Sequence, residues 1–401
     1  MLSFYKNVFS SLAVNGISMV LIFIASVFLT RALGVEGRGV ATWITSLNAI
    51  GSIFAQGGMV FASRKFAAMS PQRSGDIIII TFLICIIASI IIIPAFLLMD
   101  IPPAVKENPV ALMFGIMTIP FVAMAQCYGS MIIGLDKKKV FNSLPLLQGG
   151  GQAAIVFAVI YMGIVTPLYA VIALIVPAFL RMAASLWAMR GYISFKLKEP
   201  AWIFKHLKSF IFFNYISSLF LLMINALPPL LTGSLSTLHE AGLFAACIPF
   251  IEALYRVPSM LSAHSVTNII NEKDLQKKML FKNRIMIHTF IFMSLIAVFL
   301  FFIANWMIVS IYGENFKSSV AIFQMLLPGT VFAATFNIAQ SFIVVEDKSW
   351  KIAVAPALAA LILIAGSIIL VPEYGAVGAA FVWSVSCFVA TAFAWLILRR
   401  I

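Results

Sequence analysis

The stretch "LTRALGVEGRGVA" (29–41) follows the first long apolar run of the chain, and "LTGSLSTLHEAGLFA" (231–245) follows the seventh. Leu29 and Thr30 align with Leu231 and Thr232, and Leu33 with Leu235. With one gap, Glu36 and Gly39 meet Glu240 and Gly242 or their neighbours. A second block holds one offset, 211 residues from 126 to 337: Gln126, Ser130, Asp136, Lys137 and Pro145 align with Asn337, Ser341, Asp347, Lys348 and Pro356. Both blocks occupy equivalent places in two sets of six apolar runs. Equivalent runs then share one orientation, so the repeat is parallel, about a pseudo-two-fold axis along a membrane normal.

Composition sets the solvent. Of 401 residues, 62% are hydrophobic and only 10% charged, too few to cover a soluble domain. Runs of about 20 apolar residues give twelve spans, in chain order 9–32, 40–63, 76–99, 109–134, 143–163, 167–190, 210–232, 241–268, 285–309, 320–345, 352–371 and 375–398. Continuous apolar runs do not alternate as barrel strands do, and a helix satisfies its own backbone in hydrocarbon. The expectation is an all-α polytopic membrane protein with twelve transmembrane helices in two six-helix lobes, 1–200 and 201–401. The first span lacks a small-residue cleavage site and reads as an uncleaved anchor. The junction "RGYISFKLKEPAWIFKHLKSF" (190–210) reads as a basic cytoplasmic linker, and "WIFKHLKSF" (202–210) within it as an amphipathic stretch on the membrane surface.

The formal net charge of +13 is a matter of topology. With the N-terminus in the cytoplasm, 21 of the 27 Lys and Arg fall on the inner side. Arg31, Arg38, Lys106 and Lys317 fall on the outer side, and Arg181 and Arg256 within spans. This split follows the positive-inside rule with both termini cytoplasmic. The charge serves inner-leaflet lipid, and no motif points to nucleic acid. Cys85, Cys127, Cys247 and Cys387 all lie in spans without ligand spacing, as small packing residues, so neither metal nor cofactor is expected.

Polar residues recur at helical spacing in particular spans: Asn15 in the first; Thr45, Asn48, Ser52 and Gln56 in the second; Asn214, Ser218, Asn225 and Thr232 in the seventh; Asn337 and Gln340 in the tenth. Such residues either bond neighbouring helices or line a wetted path. "IPFIEALYRVPSM" (248–260) places Glu252 about 16 Å into the eighth span at 1.5 Å per residue, with Arg256 one turn on. Each charge costs on the order of 3 kcal/mol at that depth, so such groups face a bundle interior or water. The spacing allows an intrahelical pair. A midplane carboxylate is also a candidate for proton or ion coupling, although pairing with Arg256 argues against proton release at neutral pH. Arg181 and Arg31 add positive charge. Three arginines against one carboxylate make a cationic path, suited to phosphate or pyrophosphate. In "QGGGQ" (148–152), the glycines permit bending or close helix contact.

"TRALGVEGRGVATW" (30–43), "IYGENFKSSVAIFQMLLPG" (311–329) and "VPEYGAVGAAFVWSVS" (371–386), with the size and the twelve spans, resemble the Wzx-type O-antigen and polysaccharide repeat-unit flippases. These belong to the polysaccharide transport family, in the superfamily that also holds multidrug exporters and the lipid II flippase. The resemblance covers essentially the whole chain. It implies two six-helix lobes, a central cavity partly lined by spans one, two, seven and eight, and alternating access in the bacterial cytoplasmic (inner) membrane. It also implies an undecaprenyl-pyrophosphate-linked oligosaccharide as substrate, in lipopolysaccharide biosynthesis, with a glycan polymerase and a chain-length regulator as partners. The substrate-binding residues expected are Arg31, Arg181, Glu252 and Arg256. The sugar-facing ones are Asn15, Asn48, Ser52, Gln56, Asn214, Asn225, Asn337 and Gln340. The alternative on the same fold is a multidrug or cation antiporter, which calls for more acidic residues than Glu252. A membrane glycan polymerase would need a large outer loop and a nucleophile–base set, and the sequence offers neither, so no enzyme is expected.

Overall fold

The computed structural model describes residues 2–193, 210–271, 275–345 and 349–399, and no strand occurs among them. The expected boundary near residue 200 and the amphipathic junction fall outside the described residues, apart from the ends of the latter. Among the described residues, ten helices are long and apolar enough to cross a membrane. Two of them are double. Helix Leu2–Gln56 turns at Gly34 (φ 68°) and helix Ser349–Arg399 at Gly375 (φ 55°), which brings the spans to twelve. Only glycine adopts such backbone without strain, so each pair of spans is joined by a one-residue turn. Gly163, 212 residues before Gly375, also has positive φ (69°), within one residue of the repeat offset. The chain is a multi-pass membrane protein.

Large apolar side chains stay exposed along these helices, among them Ile90 and Ile91 in the third span and Phe299 and Phe302 in the ninth. In water that would be a fault; here they meet lipid tails, which are as apolar as they are. Small residues and hydrogen-bonded polar ones join large apolar side chains such as Trp43, Phe66 and Phe323 in the interior. Gly149 lies against the Ser18 backbone and Gly151 against Leu180 and Pro177, so these two glycines of "QGGGQ" serve close packing. All four cysteines are buried and free.

The chain divides into two compact units. One comprises 1–33 and 40–215, the other 34–39 and 216–401. In the first, Trp43, Ile44 and Leu47 are fully buried, and span two is fastened to span four by side chains. Asn48 donates to Gly115 O (2.6 Å) and Thr118 Oγ1 (3.1 Å). Ser52 donates to Ile119 O (3.3 Å), and Gln56 Nε2 to Gln126 Oε1 (2.8 Å). In the second unit, span ten is held in the same manner: Ser319 donates to Leu243 O in span eight (2.9 Å), and Ser384 and Thr391 in span twelve donate to Met325 O (2.7 Å) and Phe332 O (2.8 Å). Glu240 Oε2 accepts the N–H of Ala376 (2.9 Å), capping the helix that begins after Gly375.

The segment 34–39 belongs to the second unit because it docks on its repeat counterpart. A Cβ on Gly39 would stand 1.9 Å from Leu238 O, and one on Gly242 would stand 1.9 Å from Val35 O. The contact is reciprocal: each glycine covers the carbonyl four residues before the other. Two backbones approach this closely only where both lack a side chain.

Candidate functional site

In the second unit a cavity of about 300 Å3 opens among spans seven, eight, ten and twelve. Glu252, Tyr255 and Ile251 line it from span eight, Asn225 from span seven, and Leu326 and Trp383 from spans ten and twelve. Span eight presents these side chains because Ile248, Ile251, Glu252 and Tyr255 recur at steps of three and four and so share one helix face. The Tyr255 hydroxyl accepts a hydrogen bond from Asn337 Nδ2 (2.8 Å), which fixes the ring. Asn225 Nδ2 donates to Leu221 O (3.0 Å), and the rest of its amide borders the cavity. Glu252 is exposed.

Arg38 acts electrostatically on Glu252, as on Tyr312. It is only 5% exposed, carried into the second unit by the docked 34–39 segment. A buried guanidinium holds its place only with compensating partners, and a carboxylate is the strongest available. The sequence counted Arg38 among loop charges and paired Glu252 with Arg256. The backbone around Arg256 is helical, but its side chain lies outside the described residues, as does that of Asn214. Arg38 is the buried charge that sequence reasoning missed. Gly39 beside it was the available signal, because it packs directly on the Leu238 carbonyl rather than lying in a solvated loop.

The other expected residues divide by unit. In the second, Asn225 and Glu252 line the cavity and Asn337 supports it, while Gln340 is buried on Ser217 Oγ (2.9 Å). In the first, Arg181 Nη1 donates to Gln148 Oε1 (2.7 Å) and sits half-buried beside Gly129. Arg31 is exposed and Asn15 half-buried. Asn48, Ser52 and Gln56 are buried, with their polar atoms directed to span four. Among the described residues no group of His, Cys, Asp and Glu has the makings of a metal site.

The arrangement offers binding chemistry: a carboxylate, an amide, a tyrosine and a tryptophan around a small space. In architecture the structure is similar to the lipid II flippase MurJ in its inward closed conformation, with TM-score 0.76 and 14% sequence identity over 97% of this chain and 87% of that one. It is similar to a multidrug resistance MATE family transporter of the MOP superfamily in an inward-facing conformation, with TM-score 0.75 and 11% identity over 98% and 97%. It is also similar to a MOP superfamily transporter from Pyrococcus furiosus, with TM-score 0.64 and 12% identity over 98% and 95%. These likenesses establish the fold. No curated protein matches the sequence significantly. The family model of polysaccharide biosynthesis proteins matches residues 4–270, more than half of the chain, and the chain belongs to that family.

Proposed function

We propose that the protein moves an undecaprenyl-pyrophosphate-linked oligosaccharide, an O-antigen or related surface-glycan repeat unit, from the inner to the outer leaflet of the bacterial cytoplasmic membrane by alternating access. The observation that carries this reading is membership of a polysaccharide biosynthesis family on a fold shared with the lipid II flippase. Arg31, Arg181 and Arg256 would take the pyrophosphate, for which guanidinium gives paired, charge-assisted hydrogen bonds. Asn15, Asn225 and the surroundings of Glu252 would take sugar hydroxyls, while the lipid tail stays in the bilayer. The charge split along the sequence supports cytoplasmic positions for both termini. A glycan polymerase and a chain-length regulator would receive the unit on the far side.

The second reading, a multidrug or cation antiporter, is favoured by the exposed Glu252 between aromatic walls and by the MATE neighbours. Arg38 weighs against it, because a positive charge acting on Glu252 weakens its hold on a cation. Pocket charge is the proper discriminator within this fold: for the Pyrococcus furiosus transporter, reversed polarity of the binding pocket suggests a different function. Reconstitution in liposomes separates the readings. Lipid-linked oligosaccharide should become accessible to a membrane-impermeant sugar-oxidising reagent faster than in protein-free vesicles. Uptake of tetraphenylphosphonium without any such transfer would establish the antiporter instead.

A further inference from the structure

We infer that the cavity around Glu252 is a subsite for one neutral sugar ring of the transported glycan. This rests on the flippase reading and adds where, and by what chemistry, the glycan is held. The space, about 300 Å3, lies at the small end of ligand pockets and suits a single ring rather than a whole repeat unit. Its walls are of two kinds. Trp383, Tyr255 and Phe244 present aromatic surface, which matches the C–H faces of a pyranose. Glu252 and the Asn225 amide add hydrogen-bonding groups, which suit ring hydroxyls. Asn337 fixes Tyr255 through its hydroxyl, so this wall is formed before any ligand arrives.

Aromatic rings around a carboxylate also describe a site for an organic cation. Arg38 separates the two cases. Buried and acting on Glu252, it offsets the negative charge that a cation would need, yet leaves the carboxylate oxygens able to accept hydroxyl protons. A buried positive charge in the same unit thus favours a neutral polyol over a cation in this cavity. Arg38 is carried by the segment 34–39, which is docked on 238–242 through Gly39 and Gly242.

The test uses the purified full chain in lipid nanodiscs. Saturation-transfer NMR reads contact with a panel of free monosaccharides (N-acetylglucosamine, glucose, galactose and rhamnose) and, separately, with tetraphenylphosphonium. At least one sugar should give a saturable signal, weakened about tenfold by Glu252→Gln and by Asn225→Leu, each of which removes hydrogen bonds to hydroxyls. Tetraphenylphosphonium should show no contact that Glu252→Gln abolishes, until Arg38→Gln uncovers the carboxylate and binding of the cation appears. Asn225 is exposed, so its variant stays informative if a change at Glu252 or Arg38 impairs folding. Absence of any sugar signal, sugar signals untouched by both Glu252→Gln and Asn225→Leu, or cation binding at Glu252 in the unaltered chain would each overturn the inference. Transfer of lipid-linked oligosaccharide in liposomes is a separate readout. A chain that flips but binds no free sugar loses the subsite alone, and one that binds sugar but does not flip loses the transport reading.

Discussion

Gly39 and Gly242 show how little space decides a membrane fold. A methyl group at Gly39 would stand 1.9 Å from the Leu238 carbonyl, and the obstacle is backbone, which cannot turn aside. Gly39→Ala is therefore expected to lower the melting temperature of the purified protein, by a destabilisation of about 1–3 kcal/mol. A methyl group at Gly150 would meet nothing within 4 Å, so Gly150→Ala should leave stability unchanged or raise it by about 0.5–1 kcal/mol through helix propensity. Equal melting temperatures for Gly39→Ala and the unaltered protein would contradict the close contact. Arg38 belongs to the same small region. Charge counting placed it outside the membrane because a short polar stretch between two apolar runs has the appearance of a loop. The close contact of Gly39 with Leu238 makes it a packed corner, and that distinction depends on a partner about 200 positions away.

Elements are joined here by hydrogen bonds, since lipid gives apolar side chains no reason to cluster. Span two is the clearest case. Thr45, Asn48, Ser52 and Gln56 were legible as a stripe, but spacing along one helix does not reveal whether the stripe faces a cavity or a neighbour. Gly115 O and Gln126 supply the neighbour for Asn48 and Gln56. Asn48→Ala should cost about 1–2 kcal/mol for two interhelical bonds, read as a lower melting temperature. Asn225→Ala, on an exposed side chain, should leave the melting temperature where it is. The reverse order would place the structural polar residue in span seven. Glu240→Ala should likewise destabilise by about 1 kcal/mol, because the N–H of Ala376 loses its acceptor at a helix start. A melting curve identical to that of the unaltered protein would show that the cap is dispensable.

The whole molecule was the most legible scale. Apolar runs of span length and two repeat blocks in register are long-range signals that no single side chain can disturb, and they carried the twelve helices. Joints were harder. The breaks between apolar runs, at 32–40 and 371–375, showed where the chain turns, but not that a single glycine, Gly34 or Gly375, makes each turn. The candidate site was legible in its chemistry, through Glu252 and Asn225, but not in its aromatic wall. Trp383 and Tyr255 are ordinary apolar residues until folding brings them around one space. What this molecule does in the cell follows from whether a lipid-linked glycan crosses with it. The decisive measurement is deletion of the gene, followed by extraction of lipid-linked oligosaccharides from spheroplasts treated with a membrane-impermeant sugar reagent. Accumulation of a shielded, inner-leaflet undecaprenyl-linked unit, reversed when the gene is restored, is the predicted result; unchanged levels with normal outer-leaflet exposure would contradict it.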